Sequence, residues 1–232
     1  MNSWERVNAI IAGKPADRPA VINPVSNITS ETCRAIGIKF NEVHLNAEKM
    51  ARLAAYPYEN LGFDSIMPHF SVVQEVATLG AEIDWGGGDT GADAVTLADH
   101  ITSDLVGVKT YTRFLQEVHA EINRQFPNRI LILHCCGDTT DRVAHFAQGG
   151  FKIFHFESKN NLQQTIERAG SMLLTGGVNN LEVLLNGTPE SVRNNVTRLL
   201  EVGIQLISPE CAVPLGVHNQ NLLELSKTLK RG

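Results

Sequence analysis

Residues 129–137 read RILILHCCG. Ile130 to Leu133 form an aliphatic run with no polar alternation, the mark of a strand covered on both faces. A histidine and two cysteines follow at once, and Gly137 ends the run. The same grammar repeats outward in both directions. Ala20 to Ile22 follows the turn signal Lys14 to Pro19, and Phe63 to Met67 (FDSIM) follows Gly62. Ala94 to Ala98 (AVTLA) follows Gly91, and Phe151 to Phe156 (FKIFHF) follows Gly149-Gly150. Ser171 to Thr175 (SMLLT) follows Gly170, and Ile204 to Ser208 (IQLIS) follows Gly203. Helical stretches lie between them: Lys109 to Phe126, Asp138 to Ala147, Asn161 to Ala169 and Pro189 to Val202.

Apolar strands alternating with helices predict βα units and a parallel sheet. Glycine between a helix and the next strand suits a helix C-cap. A (β/α) barrel and a doubly wound sheet both satisfy this pattern. No Gly-x-Gly-x-x-Gly follows a strand, which removes the best reason for the doubly wound sheet. A TIM-type barrel is therefore expected, with residues 1–232 as a single domain. The count is seven strands, whereas a closed barrel of this type has eight. The shortfall falls near residues 85–91, in the loop-like stretch DWGGGDTG (84–91). An open gap would leave two unpaired sheet edges, and a symmetric homodimer in which each chain covers the other's gap is the expected remedy.

Composition narrows the function. The chain is 43% hydrophobic and 19% charged, with a net charge of −5, so a packed core is expected and a broad basic surface for nucleic acid or anionic lipid is not. No apolar run reaches the ~18 residues of a membrane span, and MNSWERVNAII lacks the layout of a secretory signal. A cytoplasmic protein is expected. The Asn-x-Thr triplets at Asn27, Asn186 and Asn195 then carry no glycan meaning. Four cysteines, two of them adjacent, do not form a disulfide pattern.

The strongest chemical signal is His134-Cys135-Cys136-Gly137 at one strand's carboxyl end, with Ser208-Pro209-Glu210-Cys211 at another. In a parallel barrel these ends share one rim, where active sites form. His134, Cys136 and Cys211 supply one imidazole and two thiolates, a donor set suited to zinc with a fourth position left for water or substrate. Cys135 should point into the barrel wall. Spacing alone leaves a second reading open, in which the cysteines are buried packing and the histidine caps a turn. Cys33 reads as packing. Asp99 follows the strand ending at Ala98 and either binds substrate or orients a metal-ligating imidazole. Glu157 follows the strand ending at Phe156 and is a candidate labile fourth ligand. Gly176-Gly177, after the strand ending at Thr175, are candidates for backbone N–H donors to an anionic ligand; tight-turn glycines are the alternative. Asp138 reads as a helix N-cap. His69, His119, His145 and His218 show no convergent partners, and His155 reads as a packing residue inside a strand.

Taken together, these residues resemble the uroporphyrinogen decarboxylase superfamily, and its methylcobamide:coenzyme M methyltransferase branch in particular. The likeness lies in Glu5-Arg6-Val7 through Asp17-Arg18-Pro19, His44 to Leu53 (HLNAEKMARL), Leu61 to Asp64, Glu75 to Asp84 (EVATLGAEID), Ala92 to Leu105, the HxC triplet at His134 and Pro209-Glu210-Cys211. The resemblance implies a (β/α)₈ barrel with zinc on His134, Cys136 and Cys211. It implies methyl transfer from a methylated corrinoid, carried on a partner protein, to a small thiol such as coenzyme M. Zinc would supply what an alkyl thiol lacks at neutral pH, its thiolate form. Members of the branch are longer, and the piece nearly absent here lies between EID and ADAVTLAD. Two alternatives remain: a metal-free decarboxylase-like enzyme, which needs cationic side chains for carboxylates, and a truncated, non-catalytic corrinoid-binding paralogue.

Overall fold

The computed structural model describes residues 1–39, 42–43, 46–68 and 93–230. Among them six strands form one parallel sheet: β1 (Ala20–Val21), β2 (Ala94–Asp99), β3 (Ile130–Cys135), β4 (Ile153–Phe156), β5 (Leu173–Val178) and β6 (Leu206–Pro209). Their order is β1-β6-β5-β4-β3-β2. Among the described residues the α-helices are α1 (Ser3–Ile11), α2 (Ser30–Ile36), α3 (Ala47–Asn60), α4 (Val108–Phe114), α5 (Gln116–Gln125), α6 (Val143–Gln148), α7 (Leu162–Ala169), α8 (Pro189–Glu201) and α9 (Asn219–Leu229). Local chemistry sets several of their starts. Asn2 and Glu5 exchange side-chain and backbone hydrogen bonds at α1, a capping box. Thr188 and Ser191 do the same at α8, with Pro189 in its first turn. The stretch expected as one helix, Lys109 to Phe126, is two helices broken at Leu115.

Strand register sorts the side chains into two sets. Ala20, Ile132, Ile153 and Leu206 pack with Ile22 and with Ile10 of α1, inside the barrel. Val21, Leu131, Leu133, Cys135, Phe154, Phe156, Val178 and Ile207 face the other way, against helical Tyr111, Phe146, Val192, Val196 and Leu222. Each Leu, Ile or Phe buried this way stabilises the fold by about 1.5–3 kcal/mol. Both faces are covered, so these strands show no alternation in hydrophobicity.

The expected strand at Phe63 to Met67 is absent as a strand, and the reason is electrostatic. Asp64 is buried against two guanidinium groups, Arg6 Nη1 at 2.6 Å and Arg18 Nη1 at 2.8 Å. Its side chain and its backbone N–H, rather than a regular ladder, serve the edge of β1. Val21 N–H donates to Asp64 Oδ2 at 3.0 Å, Asp64 N–H donates to the Val21 carbonyl at 2.7 Å, and Asn23 N–H donates to Ser65 Oγ at 2.7 Å. At the far end of the sheet, Thr96 of β2 donates its hydroxyl to the Pro24 carbonyl at 2.9 Å. The two ends of the sheet thus meet just past β1, and the sheet curls into a TIM-type barrel with six strands among the described residues. The expected gap at 85–91, the whole EVATLGAEID stretch and His69 lie outside the described residues, as do His44 and Leu45.

Candidate metal centre

The inward positions change character along each strand. Ile132 is followed two residues on by His134 and then Cys136; Ile153 by His155 and Glu157; Leu173 by Thr175; Leu206 by Ser208 and Glu210. Register makes His134, His155 and Thr175 lateral neighbours. The lower barrel is aliphatic and its carboxyl end is polar. This period-two switch was legible in the sequence and is the signal by which His155 and Glu210 belong to the site.

At that end three ligand atoms converge. His134 Nε2 lies 3.2 Å from Cys136 Sγ and 3.5 Å from Cys211 Sγ, and the two sulfurs are 3.3 Å apart. A tetrahedral zinc ion with ordinary bond lengths holds S and N about 3.5 Å apart and two sulfurs about 3.8 Å apart. The triangle matches to within a few tenths of an ångström, so the residues fit the metal. They are the group among the described residues whose imidazole and thiols could share one ion. The Cys136 thiol and the His134 imidazole draw the Cys211 thiol well below the ordinary thiol range. The Cys211 sulfur in turn raises Cys136, so the pair keeps one proton between two sulfurs. Cys135 points outward and is fully buried among helix-facing side chains; burial pushes its thiol up to about 12.

The turn carrying Cys136 is pinned from several sides. Gly137 has φ +83°, and a Cβ there would lie 2.7 Å from Thr102 Cγ2. Its N–H donates to the Glu157 carboxylate, and its carbonyl accepts from Asn160 Nδ2 at 3.0 Å. Glu157, expected as a labile fourth ligand, is outside the converging trio and is hydrogen-bonded to the turn behind Cys136. Asp138, expected as a helix N-cap, instead makes a local turn, accepting the N–H and the hydroxyl of Thr140; the cap position before the short 3₁₀ turn Thr140–Arg142 is Thr139. Glu210, 3% exposed, ties the rim together. It accepts Ser158 N–H at 2.7 Å and Asn180 N–H at 3.0 Å, joining the loops after β4 and β5 to the residue before Cys211.

Two expectations about the rim change. Asp99 is in register with Cys135 and faces the helix layer, away from the barrel interior. Its Oδ2 lies 2.9 Å from His119 Nε2, and His119 Nδ1 lies 3.0 Å from the Tyr111 hydroxyl. Asp99 therefore orients His119, a residue with no expected partner, and does not reach His134. His218 likewise has a partner, Glu31 at 2.8 Å. Gly176 and Gly177 are not a loop after the strand: β5 runs on to Val178, and both are paired with β6. A Cβ on Gly176 would sit 2.2 Å from the Phe156 carbonyl oxygen and 3.0 Å from His155 Cδ2. These glycines allow β4 and β5 to approach.

The family profile of uroporphyrinogen decarboxylase (URO-D) matches residues 2–90 and 88–232. The chain belongs to the uroporphyrinogen decarboxylase family. Among the curated proteins it is similar to the methylcobamide:CoM methyltransferase MtbA of Methanosarcina acetivorans, 23% identical over 145 residues, covering 61% of this chain and 43% of that protein. It is also similar to a methylated-thiol–coenzyme M methyltransferase of Methanosarcina mazei, 27% identical over 133 residues, covering 57% of this chain and 36% of that one. The matches thus span less than half the length of these relatives. A solved methyltransferase from Methanosarcina mazei superposes with a TM-score of 0.89 over all of this chain and 99% of its own, at 18% identity, which establishes the shared fold. Family membership and methyltransferase relatives agree with the resemblance carried by the HxC and PEC motifs.

Proposed function

We propose that this protein is a zinc-dependent methyltransferase, moving a methyl group from a methylated corrinoid, carried on a corrinoid protein, to a small thiol such as coenzyme M. The observation that carries the proposal is the convergence of His134, Cys136 and Cys211 at one end of the barrel, in a chain whose relatives are named for methyl transfer between methylcobamide and coenzyme M. Zinc bound there would hold the acceptor's sulfur as the nucleophilic thiolate. The chain's own residues set the stage for that chemistry. Two thiolates and a neutral imidazole balance the metal's charge, so the acceptor's thiolate makes the site anionic and keeps electron density on the attacking sulfur. We assign the acceptor's proton to Glu157, which is bonded to the Cys136 turn and has its side chain 17% exposed. Leu105, Leu181 and Leu215 are exposed on the segments that follow β2, β5 and β6, Leu181 in the π-helical turn Asn180–Leu185, apolar surface that a docked corrinoid protein would cover.

The decarboxylase alternative needs free cations near the rim. Arg6 and Arg18 instead sit before β1, at the opposite end of the barrel, paired with Asp17 and Asp64. The truncated, non-catalytic corrinoid-binding paralogue is separated by activity. Zinc-loaded protein should convert methylcobalamin to the demethylated cobalamin when a small thiol is added, and Cys211→Ala should abolish the colour change. No conversion with zinc fully bound supports the silent paralogue. Sedimentation at low micromolar concentration tests the homodimer. The Asp64 and Thr96 contacts, which serve the sheet ends within one chain, favour a closed smaller barrel over mutual coverage.

A further inference from the structure

We propose that His155 is the positioning residue of the metal centre, the acceptor that fixes the orientation and tautomer of His134. The inference rests on the reading of His134 as a ligand. A metal-bound imidazole nearly always donates its second N–H to a carboxylate, a carbonyl or water, and that partner sets the ring's orientation and basicity. His134 presents Nε2 to the two sulfurs, so its Nδ1 carries the hydrogen when metal is bound. In the structure Nδ1 is buried and has no partner.

The usual carboxylates are committed elsewhere. Asp99 holds His119 on the outer face of the sheet, Glu157 holds Gly137, and Glu210 holds Ser158 and Asn180. The group beside His134 is His155, its lateral neighbour on β4, with ring centroids 4.5 Å apart and planes inclined by 33°. His155 is fully buried, and its Nε2 lies 2.7 Å from the Pro209 carbonyl. A carbonyl only accepts, so Nε2 bears the hydrogen. In the neutral ring Nδ1 is then a bare acceptor, and it too is buried without a partner.

The two orphaned atoms are complementary, a donor on His134 and an acceptor on His155. Rotation of the His134 ring out of the stacked arrangement, or one water between the two atoms, would join them. His155 is held in place by its Nε2 bond to the Pro209 carbonyl. The consequence reaches both metal-bearing strands. Pro209 is two residues before Cys211, so one imidazole steers the histidine ligand on β3 and the backbone leading to the cysteine ligand after β6. A purely packing role, the alternative, asks only for a flat ring of this size.

The experiment compares wild type with His155→Phe, which keeps the stacked ring and loses both nitrogens, and His155→Gln, whose amide can donate and accept. Zinc affinity is measured by competition with a chromophoric chelator, the visible spectrum of the cobalt(II)-substituted protein reports ligand geometry, and thermal unfolding of the metal-free proteins controls for folding. His155→Phe should weaken zinc on the order of 10–100-fold and shift the cobalt bands, and His155→Gln should recover part of the affinity. Unchanged affinity and spectrum in folded His155→Phe would reduce His155 to packing and overturn the proposal. Should His155→Phe fail to fold, imidazole ¹⁵N resonances of the zinc-loaded wild type decide. The expected tautomers are Nε2–H at His155 and Nδ1–H at His134, and Nδ1–H at His155 refutes the assignment. A wild type that binds no zinc removes the metal reading itself, and this inference with it.

Discussion

Glu210 offers the sharpest test of how the rim is built. Its carboxylate is 3% exposed and takes one backbone N–H on each oxygen, Asn180 on Oε1 and Ser158 on Oε2. A hydrogen bond to a charged group contributes about 1.5–3 kcal/mol. Glu210→Gln keeps one acceptor oxygen and turns an amide N–H toward the other backbone N–H, so it should cost about 2–3 kcal/mol. Glu210→Ala strands both donors and should cost about 3–5 kcal/mol, a large share of a domain's 5–15. With a urea slope of about 3 kcal/mol per M, the midpoint should fall by about 1 M for Gln and more for Ala. Urea unfolding followed by circular dichroism, without metal, gives these numbers directly. Glu210 also anchors the backbone next to Cys211, so both variants should bind zinc more weakly than wild type even where they remain folded. Midpoints within about 0.2 M of wild type in both variants would refute the account of Glu210 as the tie between three rim loops.

Cys136→Ser should lose zinc while Cys135→Ser keeps it, because Cys135 faces the helices; metal analysis of the two purified variants checks this, and equal loss would reverse the choice between the adjacent cysteines. Gly176→Ala should destabilise by about 3 kcal/mol or more, since its Cβ would lie 2.2 Å from a backbone carbonyl, while Gly203→Ala, at φ +89° with open space around it, should cost about 1–2 kcal/mol; paired denaturation curves compare them. The hydrogen bond from His119 holds the Asp99 carboxyl below its usual range, so the stability it contributes is present above about pH 4, the unfolded value, and is lost as pH falls through the lower folded value. Asp99→Asn should therefore flatten the acid limb of a melting-temperature profile below about pH 4, and an unchanged limb would remove the Asp99–His119 pair from the acid-stability account.

Much of this protein was legible in the chain. The repeated glycine, apolar run and amphipathic stretch specified βα units, because strands buried on both faces must be apolar throughout and helices that cover them must be amphipathic. His134, Cys136 and Cys211 were singled out because residues directly after strand ends share one rim whatever their separation in sequence. Other features had no local signal. Phe63 to Met67 has strand composition, yet Arg6 and Arg18, remote in sequence, bind Asp64 and convert the segment into a side-chain edge cover for β1. Asp99 looked like a rim residue because it follows Ala98; the register of β2 with β3 turned it outward to His119. Gly176 and Gly177 looked like a turn because glycine usually breaks strands, and only the close approach of Phe156 and His155 shows why a strand needs them. Sequence carries the period and the chemical type of each residue, which act over a few neighbours. Face and partner depend on register, and register is decided when distant strands pair and bury both sets of side chains at once.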